Sequence, residues 1–463
     1  MKNQNLVNQF LQYNRAHRLF TGGDRIIIAL SGGLDSVVLF ELFYQIKQQY
    51  NLTLHAVHFN HQLRSEASDG DETFVKQLCA SKKIPLTIER FDVGAYCVKN
   101  KLSTETGARE CRYSFFRKMA KWLDFPHVAT AHNANDNAET ILDHIIRGAG
   151  LRGLRGIAAK RDIFIRPLLF AGREEIELFA RENNIAFRED ATNKDIVYKR
   201  NRIRHVVLPV LKEQFNPRII DALNHLGANM TEVDKYIEFE TEKAFNNCLK
   251  FKDKQKIILD IEDFLAYFTA LQKRILVYSL DLIGQDPRLA DFDFYQRLEQ
   301  VLQKKQSGKI FNITKQLHIT ADKQNLVIWQ DPPDLKALTH VIIPGEYPFW
   351  EKHIFEIKKS KKPLEFHGKD KTSEWIDADK IVEPLQIRAV KPGDRFHPVN
   401  FGGSKKVSDF FIDEKIPVYE RYTIPILTCK TGIIWICGQR LDDRFKITDK
   451  TKKVLNIRLR KVE

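Results

Sequence analysis

Apolar and polar positions alternate in two different rhythms along the chain, and the change of rhythm divides it. Through residues 1–213, short runs of β-branched and apolar residues at 25–30, 52–59, 86–91 and 127–131 read as buried strands. Amphipathic stretches at 36–49 and 72–82 read as helices between them. Strand and helix in alternation predict an α/β domain with a doubly wound parallel sheet, whose ligands bind at the carboxyl ends of the strands. From about Phe215 the period becomes helical. Ile219, Leu223, Leu226, Met230, Val233 and Ile237 recur at spacings of three and four and predict one apolar face of a long helix. Further helical stretches at 264–282 and 294–304 give a mainly helical middle domain over 214–330.

Alternation returns beyond Lys309 in KIFNI, LHITA and NLVIW, and the QDPPD stretch at 330–334 reads as a linker, because its prolines exclude helix. Residues 331–463 then form a small, β-rich C-terminal domain. Its tail from Leu385 carries 17 basic and 9 acidic residues. A chain of 463 residues exceeds one hydrophobic core, in keeping with this three-part division.

Composition narrows the class. With 43% hydrophobic and 29% charged residues the chain should fold, and a formal charge of +14 suits a polyanionic partner. Six scattered cysteines without a CxxC pair read as reduced thiols. The polar start lacks a signal peptide's apolar region, and no apolar run reaches the length of a membrane span. The expectation is a cytoplasmic protein without membrane association.

Candidate chemistry begins at IIIALSGGLDS, residues 26–36. Glycines between a strand and a helix let backbone N–H groups approach phosphate oxygens, and Ser31 and Ser36 add hydroxyls. The lysine of a GxxxxGK[ST] loop is absent. An acid beside phosphates calls for a bridging divalent cation, so Asp35 reads either as a Mg²⁺ ligand or as a cap of the helix starting near Ser36. The nucleotide site so predicted comprises Ser31, Gly32, Gly33, Leu34, Asp35 and Ser36. A second stretch, ATAHNANDNAETILDHIIRGAGLRGLRGI at 129–157, would place His132, Asp136, Glu139 and Asp143 on one helix face at a sheet's carboxyl edge. That stripe could hold an ammonium group or a second metal ion; the alternative is a solvated helix face.

The SGGLDS string resembles the pyrophosphate-binding loop of the PP-loop ATP pyrophosphatase superfamily, whose adenine nucleotide alpha hydrolase-like fold agrees with the sheet predicted above. The second stretch is similar to the AHxxDDxxET and RGxGxxGLxGI signatures of tRNA(Ile)-lysidine synthetases, with Asn135 where the family has the first acid of its pair. HFNHQLR (58–64), ARECRYSFF (108–116), RPLL (166–169) and EDATNKDIVYKRNRIRHVVLP (189–209) resemble further segments of that family in the same order. KPGDRFHP (391–398), SKKVSDFFIDEKIP (404–417) and IIWICGQRLDDRF (433–445) resemble its C-terminal domain.

The resemblance implies a bacterial ligase. It would adenylate the 2-oxo group of the wobble cytidine of tRNA(Ile) with anticodon CAU, using ATP and Mg²⁺, and then join free L-lysine to that carbon. Asp35, Asp136, Glu139 and Arg204 would be catalytic: Asp35 as metal ligand, Asp136 and Glu139 holding or deprotonating lysine, and Arg204 stabilising phosphates or contacting tRNA. His58 and His132 would line the adenine or cytosine pocket or pack at strand ends. Arg109, Arg112, Arg147, Arg152, Arg155 and Arg200, the basic segment continuing to Arg166, and Lys391, Arg395, Lys405 and Lys406 would bind tRNA. A homodimer stays open. The rivals are a PP-loop tRNA thiolase, which usually needs paired cysteines or an iron-sulfur cluster, another adenylating synthetase, and an ATP-sensing RNA-binding protein without turnover.

Overall fold

The computed structural model describes residues 4–62, 65–188, 199–286, 289, 292–303, 310–322, 324–331, 339–341, 345–349, 353–362, 372–421 and 423–461. Residues 63–64, 189–198 and 332–338, which carry parts of three sequence expectations, lie outside this set. The chain divides into two compact units, Met1–Tyr236 and Ile237–Glu463.

In the first unit the order is α1 (Gln4–His17), β1 (Arg25–Ala29), α2 (Leu34–Ile46), β2 (Thr53–Asn60), α3 (Ser65–Ser81), β3 (Leu86–Arg90), α4 (Val93–Asn100) and α5 (Thr104–Leu123). There follow β4 (His127–Ala129), α6 (Ala134–Ile146), α7 (Leu151–Leu154), β5 (Lys160–Arg161), β6 (Phe164–Ile165), α8 (Arg173–Glu182), α9 (Lys199–Arg202), α10 (Leu208–Gln214) and α11 (Ile219–Cys248), whose residues from Ile237 onward belong to the second unit. The sheet order is β3-β2-β1-β4-β6-β5, parallel except for the β5/β6 pair at one edge. All four strands expected from the apolar runs are present; the two-residue strands β5 and β6 are too short to show a period.

Ile26, Ile27 and Ile28 of β1 are all fully buried, because both faces of the sheet are covered. Ile26 and Ile28 pack with Phe10, Val37, Phe40, Val75 and Ile176 from α1, α2, α3 and α8. Ile27 points the other way, into a core with Val93, Phe115 and Phe116 from α4 and α5. Each such side chain contributes about 1.5–3 kcal/mol on burial, which makes β1 a rigid platform for the loop that follows it. The strand order reverses between β1 and β4, so the loops after these two strands open a crevice at the sheet's carboxyl edge.

The second unit contains a five-stranded antiparallel sheet of Leu249–Lys252, Lys256–Asp260, Asn325–Gln330, Leu317–Asp322 and Ile310–Asn312, in that spatial order. Helices Ile261–Ala266, Thr269–Leu282 and Phe292–Gln303 pack their buried residues, among them Phe264, Ile275, Leu276 and Leu298, against it. The helical middle is thus accompanied by two strands, 249–252 and 256–260, that the periodicity did not disclose. The predicted helix 264–282 breaks at Tyr267, whose ψ of 154° is extended. Towards the C-terminus a four-stranded and a five-stranded sheet share a core containing Phe355, Trp435 and Leu455.

Candidate active site

The loop after β1 turns at Gly32, whose φ of +94° is costly for any residue with a Cβ. The Ser36 hydroxyl donates to the Gly33 carbonyl at 2.9 Å and accepts from the Ser31 backbone N–H at 3.2 Å, so Ser36 holds the turn from within. Helix α2 starts at Leu34 with Gly33 as N-cap and no side-chain cap. The capping alternative for Asp35 therefore falls. Its carboxylate accepts from the Asn133 side-chain amide at 3.1 Å and from Arg173 Nη1 at 2.8 Å. Burial pushes its carboxyl above the ordinary range and the charge of Asp136 adds to this, while Arg173, Asn133 and Arg204 pull against them.

Asn133 is also the N-cap of α6. It accepts from the Asp136 N–H at 2.9 Å while Asp136 accepts from the Asn133 N–H at 3.1 Å, a reciprocal capping box. The helix begins at Ala134, so His132 precedes it and does not share its face, contrary to the expected four-residue stripe. Asn135, the departure from the family's acid pair, accepts from the Arg173 backbone N–H at 2.9 Å and ties the start of α8 to α6.

Asp136 and Glu139 do share a face, and two arginines clamp them. Arg200 donates Nε to Glu139 at 2.8 Å and Nη2 to Asp136 at 2.9 Å. Arg204 donates Nε to Glu139 at 2.5 Å and Nη2 to Asp136 at 2.9 Å. Glu139 is 1% exposed, so its charge is tolerable only because both guanidiniums meet it. Arg204 lies in a π-helical turn, Ile203–Val207, an irregularity common at functional sites. Asp143 is further along the helix; burial raises its carboxyl, but Lys199 and Arg147 more than offset that and leave it lowered.

Asp136, Arg200 and Arg204 wall a cavity of about 490 Å³ together with Ser31, Gly33, Asp35, His58, Arg112, His132, Arg173 and Arg188, whereas Glu139 and Asp143 lie outside its lining. The volume suits a nucleotide-sized ligand. His58 is buried and its Nδ1 lies 2.9 Å from the Leu30 carbonyl, which fixes Nδ1 as the donor and leaves Nε2 as an acceptor. Burial lowers the pKa of His58, and lowers that of His132 to about 3, so both imidazoles are neutral at physiological pH. Burial likewise lowers that of Arg112, with Arg109 and Arg200 opposing its charge, although Tyr113 favours it.

Of the residues expected to meet tRNA, Arg112 and Arg200 line the cavity. Arg109 sits over the Tyr113 ring at 4.9 Å, and Arg147 is paired with Asp143 at 2.8 Å. Arg155 and Arg152 lie 2.6 and 4.0 Å from the fully buried Asp234. Arg166 is 5% exposed and donates to the Ala158 carbonyl at 2.7 Å, so it belongs to the interior and not to an RNA-facing surface. In the second unit Arg395 pairs in register with Lys406 across a two-stranded ribbon, Lys391 is exposed, and Lys405 is paired with Asp413. The sequence reading missed Asn133, Arg173 and Arg188. Asn133 was findable as a cap three residues before an acid; Arg173 and Arg188 reach the loop only through the fold.

Among the described residues, no cluster of three or more His, Cys, Asp or Glu side chains could hold a metal, and no helix is long and apolar enough to cross a membrane. Asp35 and Asp136 do meet the requirement of a Mg²⁺ ion that takes one or two carboxylates and completes its shell with phosphate oxygens.

Residues 2–211 match the family described as the PP-loop domain, and residues 385–459 match the TilS substrate C-terminal domain. The tRNA(Ile)-lysidine synthase of Clostridium tetani is 33% identical over 98% of this chain and 97% of its own length. That of Clostridium perfringens is 34% identical over 98% of both chains, and that of Clostridioides difficile 32% identical over 99% of this chain and all of its own. Similarity of this kind along both units, in sequence order with the signatures that build the cavity, means that the chain belongs to the tRNA(Ile)-lysidine synthase family.

Proposed function

We propose that this protein is a ligase that joins lysine to the 2-position of the wobble cytidine of tRNA(Ile) bearing anticodon CAU, at the expense of ATP. The observation that carries this reading is the convergence of Ser31 and Gly33 of the glycine turn, Asp35, and Asp136 with Arg200 and Arg204 on one cavity, with Glu139 bracing the two arginines from behind. The cytosine 2-oxygen attacks the α-phosphorus of ATP and pyrophosphate leaves. An amine of lysine then attacks C2, loses a proton and expels AMP. The tRNA thereafter reads AUA and is charged with isoleucine.

The loop backbone at Gly32 and Gly33, with Ser31, cradles the phosphates, and Arg173 balances charge beside them. Asp35, with Asp136 nearby, would hold Mg²⁺, which when bound supplies charge neutralisation at the polyphosphate. Asp136, at the cavity wall, holds the incoming amine and takes its proton, while Glu139, buried with both oxygens on Arg200 and Arg204, keeps those two guanidiniums in place beside it. Arg204 offsets negative charge as pyrophosphate and AMP depart. The neutral rings of His58 and His132 serve as hydrogen-bonding walls for a base. We assign catalysis to residues 1–213, a linking role to 214–330 and tRNA binding to 331–463, with Lys391, Arg395, Lys405 and Lys406 on the acceptor side and Arg109, Arg112, Arg147, Arg152, Arg155 and Arg200 nearer the anticodon. The reaction belongs in the bacterial cytoplasm, and a homodimer would be compatible with it. A thiolase is disfavoured because all six cysteines are free and five are buried.

The test is incubation with Mg²⁺-ATP, radiolabelled lysine and tRNA from cells depleted of the activity, followed by acid precipitation and mild alkali. Alkali-stable label that requires ATP and disappears in Asp35→Ala is expected, because an ester would hydrolyse. Absence of stable label with active protein and unmodified tRNA would reject the reading.

A further inference from the structure

We infer that Arg188 is a polyphosphate-binding residue of the nucleotide site, held beside it by Asp71 until ATP arrives. This rests on the ATP reading above. The loop at 31–36 contains no lysine, so the cationic charge that a bound triphosphate needs must come from elsewhere in the fold. Arg188 lies on the same cavity wall as Ser31, Gly33 and Asp35.

Its position is built by the segment after α8. Ile185 and Phe187 pack on the core beneath α2, and the Arg188 backbone N–H donates to the Gly32 carbonyl at 3.0 Å. The residue is therefore stitched to the very glycine that shapes the turn. Its guanidinium lies against α3, where Nε donates to Asp71 Oδ1 at 2.5 Å. Gly70 makes that approach feasible, since a Cβ there would stand 2.8 Å from Nη2. The two side chains are 44% and 37% exposed. An ion pair so open to water is weak, whereas a guanidinium fork on phosphate is among the stronger charge-assisted contacts. Exchange of Asp71 for a phosphate oxygen is thus favourable, and it needs only side-chain rotation, because the backbone is already fixed to the loop. Arg173 pairs with Asp35 and Glu177, and Arg200 and Arg204 clamp Asp136 and Glu139, so Arg188 adds to their charge a guanidinium on a backbone tied directly to the Gly32 turn.

The experiment compares the full-length protein with Arg188→Ala, Arg188→Lys and Asp71→Asn, measuring KM for ATP, tRNA and lysine in lysidine formation together with thermal melting. Arg188→Ala should raise the ATP KM roughly 10-fold to 100-fold, the worth of a charge-assisted hydrogen bond, with the other two KM values unchanged. Arg188→Lys should recover part of the loss, and Asp71→Asn should lower the ATP KM by releasing the guanidinium. A purely structural tie between the segment after α8 and α3 predicts instead that Arg188→Ala and Asp71→Asn both melt earlier and leave the ATP KM alone. That result, or an ATP KM that rises in Asp71→Asn as in Arg188→Ala, overturns the inference. Should Arg188→Ala not fold, the contrast between Arg188→Lys and Asp71→Asn decides. Equilibrium binding of labelled ATP to the same variants separates this outcome from failure of the lysidine reading, because it needs neither tRNA nor lysine.

Discussion

Asp35 shows how one side chain can be costly to the fold and necessary to the site. Its folded-state pKa is raised, first by burial and then by Asp136, over the opposing pull of Arg173 and Asn133. A carboxyl that binds its proton more tightly when folded favours folding below its unfolded pKa, and that contribution is lost as pH rises through the folded value. At neutral pH the ionised group therefore weighs against stability. Asp35→Asn should melt at the same or a higher temperature than the parent in metal-free buffer at pH 7, and should lose at least about 100-fold in lysidine formation, as expected when charge neutralisation at phosphates is removed. A clear drop in melting temperature would mean that the contacts with Arg173 and Asn133 outweigh the burial cost. The identity of this acid was legible from two glycines and a strand. Its partners were not, because Asn133 and Arg173 are 98 and 138 residues away and no local period encodes such a contact.

At the scale of elements, α11 (Ile219–Cys248) carries the clearest departure from the apolar stripe. Val233 was expected on the buried face, yet it is 43% exposed and its neighbour Asp234 is fully buried. Arg155 supplies the reason: its guanidinium reaches Asp234 at 2.6 Å, and a buried carboxylate so paired displaces the apolar register. The same face lies close to α6. Asn137 donates to Asn224 at 2.7 Å and accepts from the Ile157 N–H at 2.6 Å, so the glycine-rich segment, α6 and α11 lock together. Gly227 permits this approach: a Cβ there would stand 2.8 Å from Ile141 Cδ1 and 3.2 Å from the Arg155 carbonyl. Gly227→Ala should therefore destabilise the first unit by about 1–3 kcal/mol, the usual cost of overpacking, despite alanine's better helix propensity. Urea unfolding would reveal it, and a neutral or stabilising result would show that α11 can move away from α6 freely. Strands and helices with a full period were legible in the sequence; the two-residue strands β5 and β6 and the π-helical turn at Arg204 were not, since a few residues show no period.

For the whole molecule the governing quantity is charge. A formal +14 is spread over 463 residues, but not every cation is free to meet a phosphate. In the C-terminal part, Lys405 is paired with Asp413 and stands 4.9 Å from the Phe401 ring centre, Arg395 is hydrogen-bonded to Ser404 at 3.2 Å, and Lys391 and Lys406 are exposed. Neutralising a cation that contacts a phosphate removes about one released counterion and flattens the dependence of log affinity on log salt by roughly 0.7 to 0.9. The triple variant Lys391→Ala, Arg395→Ala, Lys406→Ala should therefore weaken tRNA binding steeply at low salt and reduce the salt slope by about two to three. Lys405→Ala should change it less, because that ammonium already has a carboxylate partner. ATP binding should be untouched in both, since the nucleotide cavity is built entirely from the first unit. Filter binding of tRNA across a salt series measures the slope directly. An unchanged slope in the triple variant would remove this ribbon from the tRNA surface and shift the search to the exposed cations of the first unit, with Arg109 and Arg147 the first to replace.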